Sequence, residues 1–419
     1  MHNRPENPAG EFSLSNAFAW ILGNKLSTLM ILGVTLDWLP RYMSAETALS
    51  GTKLFIFPAF LIDLFVNFKE YFRVLYPWLF FAALLIGVGG AYWEGAATAG
   101  QFTQLLPSAF ILMYFSRRRP YNQYIWILRL TLVLSLSVSV VFVLSSFGIL
   151  EPIALIERKG FTRLQGGATW SSLGLYMSFI PATLGGLLLS ASGRIKRRTF
   201  IASGLLMVLG FFAIMLSGQR SSGAVFLACS ALSFVLYLRK ISVWRLAIAI
   251  ALLAVIFVSF DSLSNQLGKA MDSFEVRVEK LEVGTNRSRD VALRESMYAY
   301  FLKDLSRSPK LVGQDTALFE AVTGDIPHFV IGESYYTGGI FLLGIFLVGF
   351  GFMAIRIPIL YLRRRDELSL AMLSLLVGFA IQVTIHPGVT VRVLVMIMGL
   401  AMSVGRREQR AGQRAPALS

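Results

Sequence analysis

Gln123–Phe147 reads QYIWILRLTLVLSLSVSVVFVLSSF, a stretch in which Arg129 is the one charged side chain and whose length matches the thickness of a bilayer. Outward from it, apolar runs recur at 18–40, 51–67, 74–97, 101–116, 169–191, 200–217, 222–238, 244–261, 335–355, 368–385 and 389–405. The 419 residues are 55% hydrophobic and 15% charged, a balance that excludes an ordinary water-soluble domain. Hydrocarbon offers backbone N–H and C=O groups no water, and these runs are too long for barrel strands, so each is expected to be a helix. The fold class is therefore an all-α polytopic membrane protein of about twelve transmembrane helices. Asn24 and Lys25 interrupt the first run, so its helix is expected to start nearer Leu26 with Lys25 reaching the interface.

Charge sets the orientation. Sixteen Lys and Arg fall in five short loops on the side shared by both termini, among them Arg117 to Arg119, Arg194 to Arg198 and Arg363 to Arg365, against seven on the opposite side. Both termini are expected in the cytoplasm, and the tail residues Arg406, Arg407, Arg410 and Arg414 agree. The net charge of +15 is thus mostly topology. These cations sit at loop ends beside apolar spans, without a folded basic face, so nucleic acid is not an expected partner. The lone Cys229 lies mid-span and cannot form a disulfide within the chain. No cleavable signal peptide is recognisable.

Four parts follow: helices one to nine over 1–260, a large periplasmic loop over 261–334, helices ten to twelve over 335–405, and a basic cytoplasmic tail over 406–419. Within the loop, Arg289 to Leu305 reads as an amphipathic helix with Leu293, Met297, Tyr300, Phe301 and Leu305 on one face, stopped by Ser308-Pro309. A turn, Leu311-Val312-Gly313-Gln314, leads on to Asp325-Ile326-Pro327-His328 and to Glu333-Ser334-Tyr335-Tyr336 at the mouth of the tenth span.

On the outer side, where the topology rule disfavours cations, Arg158, Lys159, Arg163, Arg220, Arg294 and Arg392 gather. Guanidinium groups fork onto phosphate oxygens and stay charged when partly desolvated, so an anionic, lipid-linked phosphate or pyrophosphate is the ligand such a cluster suits. A pyrophosphate leaving group would gain stabilisation from them as its charge grows. Transfer would need a base near the incoming hydroxyl, for which His328 and Glu333 are the candidates by position and type.

Plainer roles stand beside these. Arg220 in Ser217-Gly218-Gln219-Arg220-Ser221-Ser222 suits capping a helix C-terminus or anchoring to lipid phosphate. Arg294 suits a solvated helix face, His328 and His386 suit surface turns, and Glu333-Ser334 suits a helix N-terminus. Arg158, Lys159 and Arg163 form a basic loop that would bind anionic headgroups in any membrane protein. Arg129 is expected to snorkel, and the pairs Gly89-Gly90, Gly185-Gly186 and Gly338-Gly339 to let helices approach closely.

LSGQRSSGAVFL over Leu216 to Leu227, Arg294-x-x-x-Tyr298 followed by Pro309-Lys310-Leu311-Val312-Gly313, and Glu333-Ser334-x-Tyr336 with Gly344 eleven positions after Glu333, resemble the bacterial O-antigen polymerase and O-antigen ligase superfamily. The resemblance covers most of the chain, although its motifs are short. It implies a GT-C-like arrangement in which Arg220 and Arg294 bind the donor's pyrophosphate, joined by Arg163 or Arg158, with Gln219 and Tyr336 lining the site; Arg392, just beyond the outer turn at His386, is a further lining candidate by position. The implied reaction is metal-independent transfer of a glycan from undecaprenyl pyrophosphate to a lipid-linked repeat unit, inverting the anomeric centre and needing no cofactor. No D-x-D motif or ligand cluster argues for a metal. Ligases of this family, which use lipid A core as acceptor, carry a histidine where this chain has Glu333. Either His328 fills that role, or the chain belongs with the polymerases, whose expected partners are a chain-length-regulating copolymerase and a flippase. A lipid-linked oligosaccharide transporter is the non-enzyme alternative, disfavoured because Asp37, Asp63, Glu94 and Arg129 sit near span ends rather than at the midplane.

Overall fold

Apolar residues follow one another here with few polar interruptions, and the chain answers with helix after helix. The computed structural model describes residues 24–35, 51–95, 99–146, 149, 155–158, 161–164, 173–190, 197–217, 220–238, 285–314, 317–323, 327, 329–385 and 392–404. Its helices are α1 (Lys25–Thr35), α2 (Gly51–Val66), α3 (Phe68–Tyr71), α4 (Leu75–Trp93), α5 (Ala99–Ser116), α6 (Tyr121–Ser146), α7 (Leu173–Ser190), α8 (Arg197–Ser217) and α9 (Arg220–Leu238). They continue as α10 (Thr285–Arg307), α11 (Ala317–Thr323), α12 (Val330–Arg364), α13 (Glu367–Ile385) and α14 (Arg392–Val404). The exception among the described residues is an antiparallel hairpin of β1 (Leu155–Arg158) and β2 (Phe161–Leu164), in the segment read from sequence as a basic loop.

Four helices are long and apolar enough to cross a membrane among the described residues: Leu75–Trp93, Tyr121–Leu144, Val330–Arg364 and Glu367–Thr384. A helix also lies at each other expected span except 244–261, which falls outside the described residues. α4 and α12 leave Leu79, Leu85, Ile86, Phe341, Val348 and Ile355 exposed. Continuous apolar surface of this kind is unfavourable in water and suits a lipid environment. α12 starts at Val330, ahead of the expected position 335, with Phe329 buried by packing with the loop helix α10 and Val330 buried in the main bundle core.

Local chemistry fixes the turn between α12 and α13. Arg365 takes a left-handed conformation (φ 50°) and its N–H returns to the Tyr361 carbonyl. Asp366 then caps α13 reciprocally: Ser369 N–H donates to Asp366 Oδ1 at 2.8 Å, and Asp366 N–H to Ser369 Oγ at 3.0 Å.

Polar contacts sort the helix ends into two sets. At one end Ser27 Oγ and Tyr114 Oη lie 2.8 Å apart, Gln123 Nε2 donates to Asn24 and Ser27, Arg117 pairs with Asp63, and Arg129 pairs with Glu367 at 3.1 Å. Arg129 therefore does not snorkel as expected, because the α13 carboxylate meets it across the bundle. At the other end Tyr176 Oη donates to the Val34 carbonyl, and the backbone of α4 meets that of α12 at Gly87 and Gly338. A Cβ on Gly87 would collide with the Gly338 carbonyl, and one on Gly186 would lie 2.6 Å from the Glu367 carbonyl oxygen, whereas Gly89 faces open space. Close approach is thus the role of some, not all, of the glycine pairs.

Candidate functional site

Every candidate site residue whose backbone is described outside the hairpin lies toward the second end. α9 runs antiparallel to α13: Cys229 Sγ donates to the Ser374 carbonyl at 3.2 Å, Ser374 Oγ returns a bond to the Cys229 carbonyl at 3.3 Å, and Val225 and Cys229 pack on Gly378. At 1.5 Å per residue, Arg220 then lies about 8 Å beyond Val225 along α9, level with the C-terminal end of α13. Tyr298 brings the loop helix to the same place. Its hydroxyl donates to the Thr384 carbonyl at 2.8 Å and its ring stacks on Phe329 at 4.3 Å. Arg294 precedes Tyr298 by one turn of α10, so the backbones carrying Arg220 and Arg294 converge on one end of α13.

Under that junction, Met297, Phe301, Phe319, Phe329, Tyr335, Tyr336 and Leu343 form a small core of their own, separate from the main bundle core. It holds the first turns of α12, and with them Glu333, against the loop. Phe329 is the N-cap residue and Glu333 is the acidic residue of the first turn; its N–H bonds the Phe329 carbonyl at 3.0 Å and the residue is half-buried. Tyr336 is buried, and its hydroxyl makes no hydrogen bond of good geometry although the Asp304 carboxylate faces it. Gln314 joins the two, donating Nε2 to Asp304 Oδ2 at 3.0 Å and its backbone N–H to the Tyr336 carbonyl at 2.8 Å.

Asp304 and Gln314 were missed by the sequence reading. The available signal was the position of Asp304, one turn after Phe301 on the face of α10 that also carries Met297 and Leu305. A carboxylate there points toward the core rather than into solvent.

Arg392 opens α14 and is half-buried. Met398 of that helix meets Gly349 of α12, and Gly399 meets Leu112 and Phe115 of α5, which puts Arg392 toward the Glu333 end. Arg158 pairs with Phe161 and Arg163 with Ile156 in the hairpin, and β2 lies beside α8, the helix that ends just before Arg220. For Arg158, Arg163, Arg220 and Arg294 the described part is the backbone, while His328, Gln219 and His386 lie outside the described residues.

The chain matches no family model, no curated protein and no solved structure.

Chemically, the assembled end offers two arginine-bearing helix segments, a partly buried carboxylate on α12, and an Asp–Gln–Tyr group behind it.

Proposed function

We propose that the protein is an inner-membrane glycosyltransferase of about twelve transmembrane helices, GT-C-like, with both termini cytoplasmic and its site facing the periplasm. It polymerises polysaccharide, an O-antigen or exopolysaccharide, by moving glycan from undecaprenyl pyrophosphate to a lipid-linked repeat unit. The observation that carries this reading is the Tyr298–Thr384 hydrogen bond, which draws the Arg294 segment to the end of α13 where α9 delivers Arg220.

In the step proposed, the acceptor hydroxyl oxygen attacks the anomeric carbon opposite the pyrophosphate. A new C–O bond forms as the bond to the phosphate oxygen breaks, and the configuration inverts. The acceptor's proton goes to Glu333 or His328, and the negative charge on the departing pyrophosphate is held by Arg220 and Arg294, with Arg163 or Arg158 assisting. Glu333 in the register of the ligase histidine favours polymerase over transfer to lipid A core. The break in α12 at Gly339 favours a transporter in one respect, since transporters use broken helices. Here, though, the break lies near one helix end and a loop fills the freed backbone groups. A chain-length-regulating copolymerase and a flippase are the partners this reading calls for.

Complementation of a deletion strain tests it, with cell-surface glycan and the lipid-linked pool resolved by gel and mass. Single repeat units accumulating on undecaprenyl pyrophosphate support polymerase; full-length glycan stranded on that carrier means ligase. Normal surface glycan in the deletion strain rejects both.

A further inference from the structure

The loop between α10 and α11 does not stay above the bundle. Gly313 N–H donates to the Gly87 carbonyl of α4 at 3.0 Å, and Ile340 N–H of α12 donates to the Lys310 carbonyl at 2.9 Å. Val312 packs on Gly90, and the Leu311 carbonyl lies where a Cβ on Gly339 would be. Five residues, Pro309 to Gly313, are thereby stitched by backbone into the seam between two of the helices long enough to cross a membrane.

Depth follows from those anchors. α4 ends in Tyr92 and Trp93, the latter 91% exposed, the aromatic pair expected at a membrane–water interface. Gly87 lies about 9 Å inside Trp93 along the helix. A loop bonded to Gly87 and packed on Gly90 is therefore below the interfacial aromatics, not above them. Leu311 is 62% exposed at that depth. On either side of the seam the exposed surface is apolar: Leu85 and Ile86 on α4, Ile340 and Phe341 on α12. Irregular backbone at such depth needs its polar groups satisfied by protein; the N–H groups of Lys310, Gly313 and Gln314 and the Lys310 carbonyl find partners, while the N–H groups of Leu311 and Val312 find none among the described residues.

We propose that Pro309–Gly313 is a re-entrant pin in the membrane, with the Leu311 side chain in contact with phospholipid acyl chains and continuous with the lipid-facing surfaces of α4 and α12. The proposal rests on the chain spanning a membrane and is independent of any glycosyl-transfer chemistry. Lys310, exposed beside it, extends to the headgroup phosphates. Gln314 follows the pin directly, so lipid contact at Leu311 and the Asp304–Tyr336 group are adjacent features of one loop.

The test uses the full chain in phospholipid nanodiscs, with Cys229→Ser as background and a nitroxide on Leu311→Cys, on Phe341→Cys as a lipid-facing reference and on Ser306→Cys as a loop-surface reference. Collision with oxygen and with a water-soluble nickel chelate is measured at each. Leu311 should match Phe341, with oxygen access several-fold above nickel access. A nickel-dominated profile like that of Ser306 overturns the proposal. Alkylation gives a second reading on unlabelled Leu311→Cys protein: a charged maleimide should react at least tenfold more slowly than at Ser306→Cys, and equal rates overturn it.

Discussion

Asp63 is 2% exposed and collects four contacts: Arg117 approaches both carboxylate oxygens at 3.0 Å, Asn67 Nδ2 donates to Oδ1 at 2.9 Å, and Tyr71 Oη donates to Oδ2 at 2.6 Å. One carboxylate thus ties α2, α3 and α5 together. Removing its cation strands a buried charge, so Arg117→Ala should cost about 3–5 kcal/mol; thermal unfolding in detergent should show the loss, and an unchanged melting temperature would refute the tie. Burial, and then the Asp63 carboxylate, raise the Tyr71 hydroxyl above the ordinary tyrosine range. Its contribution is therefore full below the unfolded value of about 10 and is lost as pH rises toward the folded value. Stability measured from pH 9 to 11 should fall in the wild type. The fall should be shallower in Tyr71→Phe, which itself loses about 1–3 kcal/mol at neutral pH. At the candidate site, Arg220→Ala and Arg294→Ala should abolish polymer while leaving inserted protein at normal levels, and lysine at either position should also fail because it cannot fork onto phosphate. Wild-type polymer in any of these variants would remove the pyrophosphate assignment.

Elements here are joined by backbone as much as by side chains. α12 is broken at Gly339, where φ is +68° and the Leu311 carbonyl occupies the space a side chain would need. Gly339→Ala should cost at least the roughly 1–2 kcal/mol of left-handed backbone, and should speed hydrogen exchange at the Ile340 amide, which bonds Lys310 across the break. Slow exchange in the variant would mean the stitch is not what holds the two segments. α10 is tied to α13 by the Tyr298 hydroxyl. Tyr298→Phe keeps the stack on Phe329 and loses about 1 kcal/mol of positioning, a donor KM raised about fivefold with kcat little changed. A kcat loss with KM unchanged would place Tyr298 in the chemistry instead.

At the scale of the molecule, apolar surface on α4 and α12 calls for lipid, and polar contacts divide the helix ends into two sets. Arg117, Arg129 and their carboxylates hold one end; the arginine-bearing segments, Glu333 and the loop core occupy the other. The Arg117–Asp63 and Arg129–Glu367 pairs thus stabilise the end away from the candidate site. Much of this was legible in the chain. The described part of α1 begins at Lys25, close to the start near Leu26 that Asn24 and Lys25 imply. The amphipathic helix read at 289–305 exists and runs Thr285–Arg307, ending at Ser308-Pro309 as the turn residues require. Arg129 was misread because its partner Glu367 lies 238 residues away, a separation at which no local pattern reports contact.

What the sequence determined by itself is local: apolar length makes helices, Ser308-Pro309 stops one of them, and the distribution of Lys and Arg implies which ends share a side. Each depends on neighbours within a few residues or on composition. Only the tertiary structure decided that Gly313 meets Gly87, that Asp304 and Gln314 stand behind Tyr336, and that a polar loop descends into the seam between α4 and α12. Those outcomes depend on which backbones can approach closely enough to exchange hydrogen bonds. That is a property of packed helices and of the glycines facing each other across them, and no single segment carries it.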